Sequence, residues 1–193
     1  MIELDEGLEI RMKNSEQRCD PYEKVVMVMD VRNIVCRQNL EYTNTKIDYT
    51  KLKRDVLNGR KEVVSIAVDA VRYDSRGKDS NKIFHDELRR AGFRVELVEA
   101  SNNKGKQDGA DVKIAALAVK YAVLEKCDTV ELITGDGDFT VLAEELQSLC
   151  VNVGVRSLWG NLSHSLSDQA DEVHILDNHP LIRMSPKIAE MVE

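Results

Sequence analysis

The chain has 193 residues, of which 42% are hydrophobic, and this length predicts one domain of ordinary size with a substantial core. Its formal net charge of −7 argues against a protein that coats nucleic acid through a basic surface. The charge does not exclude an enzyme that acts on nucleic acid, because a cluster of carboxylates inflates the negative count and divalent metal offsets it.

Neither a membrane segment nor an oxidising compartment is indicated. No apolar run approaches the ~20 residues that a membrane-spanning helix needs, and the acidic stretch Met1–Glu6 lacks the basic and then apolar layout of a signal peptide. Four cysteines are scattered along the chain without a CxxC pair. Since Cys127 and Cys150 lie in apolar stretches, we expect reduced structural thiols in apolar surroundings, in a cytoplasmic protein.

Three parts are predicted along the chain. Residues 1–23 alternate charges without a sustained apolar stripe, so we interpret them as an N-terminal extension that ends near Asp20-Pro21. The domain is predicted over residues 24–178. Residues 179–193 form a C-terminal tail, in which Ser185-Pro186 indicates the N-cap and first position of a short helix.

Apolar, β-branched runs alternate with segments of helical spacing from residue 24 onward. The continuous apolar run at residues 24–30 is typical of a central strand that is covered on both faces. The predicted strands are Lys24–Asp30, Val63–Val68, Phe93–Val98, Val130–Ile133 and Val151–Val155, with a short final strand at Val173–Leu176. The predicted helices are Ile47–Leu57, Asn81–Ala91, Val112–Lys126, Val141–Leu149 and Leu162–Ala170.

This alternation predicts an α/β fold with an open, mostly parallel sheet, right-handed crossovers and strand order 3-2-1-4-5. Strand three is then at an edge, and strands one and four are neighbours where the strand order reverses. In the helix Val112–Lys126, one apolar face is predicted to pack on the sheet. That face consists of Ile114, Leu117, Ala118, Tyr121 and Leu124.

Two carboxylates separated by one glycine stand at the junction between strand four and the next helix. The stretch is Thr134-Gly135-Asp136-Gly137-Asp138-Phe139. Gly135 and Gly137 allow backbone angles and close approaches that a Cβ would obstruct. Taken alone, the stretch could be a turn in which Asp138 caps the following helix.

Two further acidic residues are predicted at the same edge of the sheet. Asp30 ends strand one, three residues before Asn33, and Asp111 opens the helix that leads into strand four. In open parallel sheets the ligand crevice lies beyond the carboxyl ends of the strands, at the point where the order reverses. Each carboxylate has a plain alternative: Asp30 and Asp136 as cap or turn residues, and Asp111 as the complement of a helix dipole.

Together the four carboxylates predict a cation site, because like charges in one cleft repel each other. Hard oxygen ligands suit Mg²⁺ or Mn²⁺, and such a site can activate water and neutralise charge on a phosphodiester. The four histidines have no paired ligand spacing for zinc, so we interpret them as structural or surface residues. They are His85, His164, His174 and His179.

In their order and spacing over residues 24–177, these motifs resemble the NYN domain family in its LabA-like (DUF88) branch, which belongs to the PIN-like nuclease superfamily. The matching segments are Val28–Asn33, Asp108–Lys113, Thr134–Phe139 and Ser165–Leu176. The segment at residues 134–139 is the most specific of them. The resemblance implies a three-layer, PIN-like (Rossmann-like) fold with helices on both faces of the sheet.

The resemblance also implies a metal-dependent ribonuclease that acts on RNA. Its catalytic and metal-binding carboxylates would be Asp30, Asp111, Asp136 and Asp138, with Asn33 supporting them. The loops after strands two and three hold candidates for binding RNA, with Lys and Arg on phosphate and a tyrosine stacked on a base. These candidates are Arg72, Tyr73, Arg76, Lys78, Lys104 and Lys106. The alternative for each is an ordinary solvated loop residue.

We therefore expect a metal-dependent endoribonuclease that leaves 5′-phosphate and 3′-hydroxyl ends. The rival interpretation is a non-catalytic PIN-like module that binds RNA or a protein partner and regulates it. Two departures from the family pattern favour the rival: Val31 where the family usually has glycine, and Asp108 where it often has lysine. The N-terminal extension and the terminal helix are candidates for the contact of a homodimer.

Overall fold

The computed structural model describes residues 20–35, 45–71, 79, 81–99, 109–176 and 182–184. Within these ranges the strands are β1 (Lys24–Asp30), β2 (Thr45–Ile47), β3 (Lys61–Val71), β4 (Arg94–Glu99), β5 (Thr129–Ile133), β6 (Asn152–Ser157), β7 (Glu172–Ile175) and β8 (Ile182–Met184). Six of them form a parallel sheet in the order β4-β3-β1-β5-β6-β7. The remaining two, β2 and β8, form a small antiparallel pair.

Helices connect the parallel strands. They are α1 (described over residues 31–35), α2 (Tyr49–Leu57), α3 (Lys82–Arg90), α4 (Ala110–Glu125), α5 (Thr140–Ser148) and α6 (His164–Gln169). Two short 3-10 turns precede α5 and α6, at Gly137–Phe139 and Trp159–Asn161. Side-chain caps start several of these helices: Asp48 accepts from the backbone N–H of Lys51 at α2, and Ser163 accepts from that of Leu166 at α6.

Both faces of the sheet are covered, which explains why β1 is apolar throughout. Val26 and Val28 pack in one core cluster with α4, α5 and α6. Met27 and Met29 point the other way and pack in a second cluster with α1, α2 and α3. The predicted three-layer α/β architecture is therefore confirmed.

The strand order predicted from the sequence is also confirmed, and β7 adds a sixth strand beside β6. The connections to β3 and β4 cover one face of the sheet, and those to β5, β6 and β7 cover the other. The order therefore reverses between β1 and β5, which are hydrogen-bonded neighbours. This is the topological switch point, where open sheets bind ligands.

Two predictions about burial were wrong. Leu124 is 65% exposed, because the face of α4 that meets the sheet runs through Ile114, Leu117 and Ala118 and leaves Leu124 outside it. Cys150 is exposed in the turn after α5, with a positive φ of 61°, whereas Cys127 is buried as expected. The pairing of β2 with β8 was not predicted, and the terminal helix at 187–192 lies outside the described residues.

A search of the described residues for a helix long and apolar enough to cross a membrane finds none.

Candidate functional site

Asp30 is the last residue of β1, and its side chain is buried, with 7% of its surface exposed. The backbone N–H of Asn33 donates to Oδ1 of Asp30 at 3.1 Å, so the turn that follows the strand holds the carboxylate in place. Strand alternation puts Asp30 on the same face as Val28, which is the face covered by α4. The carboxylate therefore lies at the carboxyl end of the central strand, between the sheet and α4.

The turn after β5 is built from internal hydrogen bonds. The buried Thr134 accepts through Oγ1 from the backbone N–H of Asp136 at 3.2 Å. Asp136 in turn accepts through Oδ1 from the backbone N–H of Asp138 at 3.0 Å, so Asp136 caps the 3-10 turn. The prediction that Asp138 caps the following helix was wrong, because α5 begins after Phe139 without a side-chain cap and the carboxylate that caps in this turn is Asp136, at the 3-10 turn.

The two glycines of this turn are required by close packing against the segment after β6. A Cβ on Gly135 would lie 2.2 Å from the backbone oxygen of Asn161, and one on Gly137 would lie 2.9 Å from Oγ of Ser163. The backbone N–H of Ser163 also donates to the oxygen of Gly135 at 2.8 Å. The segment after β6 therefore forms a wall of the site, directly beside the two aspartates.

Asn33 ties three segments of the chain together at this edge of the sheet. Its Oδ1 accepts from the backbone N–H of Gly135 at 2.9 Å and from Nδ2 of Asn161. The same Nδ2 of Asn161 donates to the backbone oxygen of Asn33 at 3.1 Å. Because the N–H of Gly135 needs an acceptor, it fixes the orientation of the Asn33 amide. Asn33 therefore acts as a positioning residue, and its Oδ1 is engaged by protein donors rather than free to bind a metal.

Three of the four predicted carboxylates act on one another. Burial raises the pKa of Asp30, the backbone N–H of Asn33 opposes the shift, and the negative charges of Asp111 and Asp136 add to it, so that the pKa rises from 3.8 to about 6 in total. Asp111 lies in the first turn of α4 and Asp136 follows β5. Three chain segments thus bring negative charge to the same place, as the switch-point argument predicted.

Asp138 differs from the other three. Its side chain is exposed, and it is not among the charges that shift the pKa of Asp30. It lies at the rim of the site, one residue beyond Gly137. The six predicted RNA-binding residues and Asp108 lie outside the described residues, and their roles stay predictions. They are Arg72, Tyr73, Arg76, Lys78, Lys104 and Lys106.

The donor set fits a hard divalent cation by its chemistry, since it consists of carboxylate oxygens that repel one another when the cleft holds no cation. The other oxygen of Asp136, Oδ2, has no hydrogen-bond partner among the described residues. Within the same ranges, no group of three or more His, Cys, Asp or Glu side chains is already arranged to hold a metal ion.

Val31, one of the departures from the family pattern, does not crowd the site. Its side chain is 2% exposed and packs with Met29 and Ile34 in the core on the opposite side of the sheet from Asp30. Arg32, which follows it, is exposed. A glycine at position 31 is therefore not needed to keep the approach to Asp30 open.

His85 is buried, and its imidazole ring lies between two carboxylates. Its Nε2 lies 2.8 Å from Oδ2 of Asp69, and its Nδ1 lies 2.5 Å from Oδ2 of Asp79. A neutral imidazole has only one N–H, so two carboxylates on one ring require an additional proton in this cluster. Although burial opposes it, the hydrogen bond from His85 holds the pKa of Asp79 below its ordinary value. His164 and His174 lie at or near the surface, and His179 lies outside the described residues.

Sequence reasoning missed two residues of the site. Asn161 anchors Asn33, and Ser163 both caps α6 and packs on Gly137. The serine could have been found, because Ser163 stands three residues before the buried Leu166, as N-cap residues do. Asn161 gave no signal, since its partner is 128 residues away in the chain.

An open parallel sheet with carboxylates at its switch point is the architecture of the PIN-like nuclease superfamily. A sequence model of the NYN domain, a member of that superfamily, matches residues 24–177. The chain therefore belongs to the NYN domain family.

One solved structure with the same fold is the crystal structure of VPA0982, a protein of unknown function from Vibrio parahaemolyticus RIMD 2210633. It is 27% identical in sequence, with a TM-score of 0.70, and the match covers 84% of this chain and 98% of that one. No match was found among curated proteins.

Proposed function

We propose that this chain is a metal-dependent ribonuclease that hydrolyses RNA phosphodiesters at the switch point between β1 and β5. Membership of a nuclease superfamily supports the reaction class. The observation that carries the proposal for this chain is the convergence of Asp30, Asp111 and Asp136 from three separate segments, close enough that the charges of Asp111 and Asp136 raise the pKa of Asp30. Carboxylates gathered in one cleft repel one another and destabilise the fold until a cation or proton joins them, so their convergence is typical of a functional site.

In this proposal Asp30 and Asp136 hold Mg²⁺ or Mn²⁺, and Asp138 joins them from the rim of the site. When bound, such an ion lowers the pKa of a water molecule and neutralises charge on the phosphate. Asp111 orients the attacking water from the first turn of α4. Asn33 and Asn161 keep the ends of β1 and β5 at a fixed separation, so that the two carboxylates approach the same phosphate.

The way in which the protein binds RNA in this proposal follows from the net charge of the chain. A chain with a net charge of −7 has no excess of basic residues to attract nucleic acid at long range, so binding must depend on local cations and on the metal. We assign this role to the predicted basic residues after β3 and β4, whose grip on phosphate positions the RNA. An endonucleolytic cut and a cytoplasmic location complete the proposal, and two free cysteines, Cys127 and Cys150, are compatible with a reducing compartment.

The test is cleavage of end-labelled RNA in the presence of Mn²⁺, Mg²⁺ or EDTA, with Asp136→Asn as the variant. Asp86→Asn is a matched control, because Asp86 is an exposed aspartate on α3 that pairs with Lys82 and Arg89 far from the site. We expect metal-dependent cleavage by the wild type and by the control, with 5′-phosphate and 3′-hydroxyl products, and loss of cleavage in Asp136→Asn. Equal cleavage by Asp136→Asn would sink the assignment.

One observation favours the rival, a non-catalytic module that binds RNA or protein: the described carboxylates are not yet arranged around a metal position. Calorimetric titration with Mg²⁺ and Mn²⁺ separates the two functions without any substrate. Binding that Asp136→Asn weakens and Asp86→Asn leaves unchanged supports the nuclease. A protein that binds neither ion at millimolar concentration supports the rival.

A further inference from the structure

Helix α4 is apolar on two opposite faces, and the sheet covers only one of them. The inner face carries Ile114, Leu117 and Ala118, which are buried against the sheet. The outer face carries Val112, Ala116, Val119 and Val123, at relative positions i, i+4, i+7 and i+11. This is the a/d spacing with which one helix packs against another. We call these four residues the outer seam of α4.

Within the part of the chain that the structure describes, the outer seam is exposed at Val112, Ala116 and Val123, while Val119 is partly buried against the core. Val112 is 74% exposed and Val123 is 53% exposed, whereas an amphipathic surface helix would carry polar residues at such positions. A continuous apolar face of this kind on a water-soluble surface marks a contact with another macromolecule.

Charge indicates which surface meets the seam. The exposed Lys120 lies on its flank, with the half-exposed Lys113, which pairs with Glu96, two turns earlier on the same side. Two copies of this seam packed against each other would therefore place lysines near lysines, which is unfavourable. The seam fits better against an apolar surface with acidic flanks.

Such a surface exists on the same molecule. Helix α5 lies beside α4 on the same face of the sheet, and the two helices share one core cluster. The outward side of α5 carries Val141, which is 64% exposed, together with the exposed Glu144 and Glu145. The apolar Val141 can pack against the outer seam, and the negative charges of Glu144 and Glu145 complement the positive charges of the lysines that flank it.

We propose that two copies of this chain form a twofold dimer in which the outer seam of α4 in each copy packs against α5 of the other. A twofold axis makes both contacts at once, because an isologous interface repeats every contact between two different patches. Val112 follows Asp111 and Val141 stands three residues after Asp138, so this interface begins at the edge of the candidate site. The proposal does not depend on catalysis, and it stands or falls separately from the ribonuclease assignment.

The first test is the molar mass of the full chain by light scattering after gel filtration, at loading concentrations up to about 100 µM. We expect twice the mass of the 21.8 kDa chain. Val123→Glu places a charge in the seam and should weaken the dimer at least about tenfold. Ile83→Glu is the matched control, since Ile83 is 83% exposed on α3, on the opposite face of the sheet.

The second test exchanges charges across the interface. Lys120→Glu and Glu145→Lys should each weaken the dimer, and the double variant should regain it, because both copies then carry the reversed pair. All of these positions are exposed, so the fold should be retained, which circular dichroism checks. A wild type that is monomeric at about 100 µM overturns the proposal. So does an equal effect of Ile83→Glu and Val123→Glu, or a double variant that does not recover.

Discussion

Replacing Asp30 by asparagine should stabilise the metal-free protein, although it removes a proposed catalytic group. Asp30 is buried, and its pKa is raised from 3.8 to about 6. This shift of about two units corresponds to about 3 kcal/mol, at about 1.4 kcal/mol per unit, by which the ionised carboxylate destabilises the folded state. Asparagine keeps the shape and an acceptor for the N–H of Asn33, and the weaker hydrogen bond to a neutral acceptor is already included in the net shift, so we expect a gain of about 3 kcal/mol.

The sign of the pH dependence follows from the raised pKa. The folded state binds the proton of Asp30 more tightly than the unfolded state does, so the wild type loses stability as the pH rises from about 4 through about 6. The advantage of Asp30→Asn should therefore be absent near pH 4 and complete above about pH 7. For a domain of this size, about 3 kcal/mol corresponds to a rise in Tm of about 6–12 °C.

Thermal and urea unfolding in EDTA at several pH values measure this difference directly. Asp138→Asn is the control, because the exposed Asp138 should change stability by no more than about 0.5 kcal/mol. Adding Mn²⁺ at about 100 times its Kd should stabilise the wild type by about 2.7 kcal/mol and the Asp30→Asn variant by much less. An Asp30→Asn variant that is no more stable than the wild type at about pH 7.5 would refute this prediction. So would an Asp138→Asn variant whose free energy of unfolding rises by as much as that of Asp30→Asn.

Two further predictions concern residues that support the site and the fold. His85→Phe should cost about 3 kcal/mol of unfolding free energy, because it leaves the buried Asp69 and the partly buried Asp79 without their shared partner, whereas His174→Phe near the surface should cost less than about 1 kcal/mol in the same urea titration. Asn161→Ala should weaken Mn²⁺ binding about tenfold in calorimetry by releasing Asn33, while Asn152→Ala, on the exposed start of β6, should leave it unchanged. An Asn161→Ala variant with wild-type affinity would show that Asn33 needs no anchor.

The strand order and the convergence of three carboxylates were predictable because both depend on local patterns and on one topological rule. Continuous apolar runs mark buried parallel strands, and the residue that ends each run lies at the same edge of the sheet. Asp30 and Asp136 could be placed together in this way, and the structure brings them within electrostatic reach of each other. The rule cannot specify side-chain direction, which is why the exposure of Asp138 was not foreseen.

Other features depend on contacts between distant segments, which local patterns do not encode. Glu131 was read as part of an apolar run, yet it is buried in β5 and paired with Arg60 and Arg156, which lie on other segments. The two apolar faces of α4 look alike in sequence, and only the packing of the sheet decides that one is buried while Val112 and Leu124 stay exposed. Exposure of the second face is therefore information that only the structure provides.

The central claim is that Asp30 and Asp136, joined by Asp138, hold one divalent metal ion at the switch point, with Asp111 beside it. The most direct measurement is a crystal structure of the wild type soaked in Mn²⁺, with anomalous diffraction recorded at the manganese edge. We predict one strong anomalous peak at the carboxyl end of β1, within bonding distance of Asp30 and Asp136, and its absence in crystals of Asp136→Asn. A wild-type crystal with no peak there at millimolar Mn²⁺ would contradict the account.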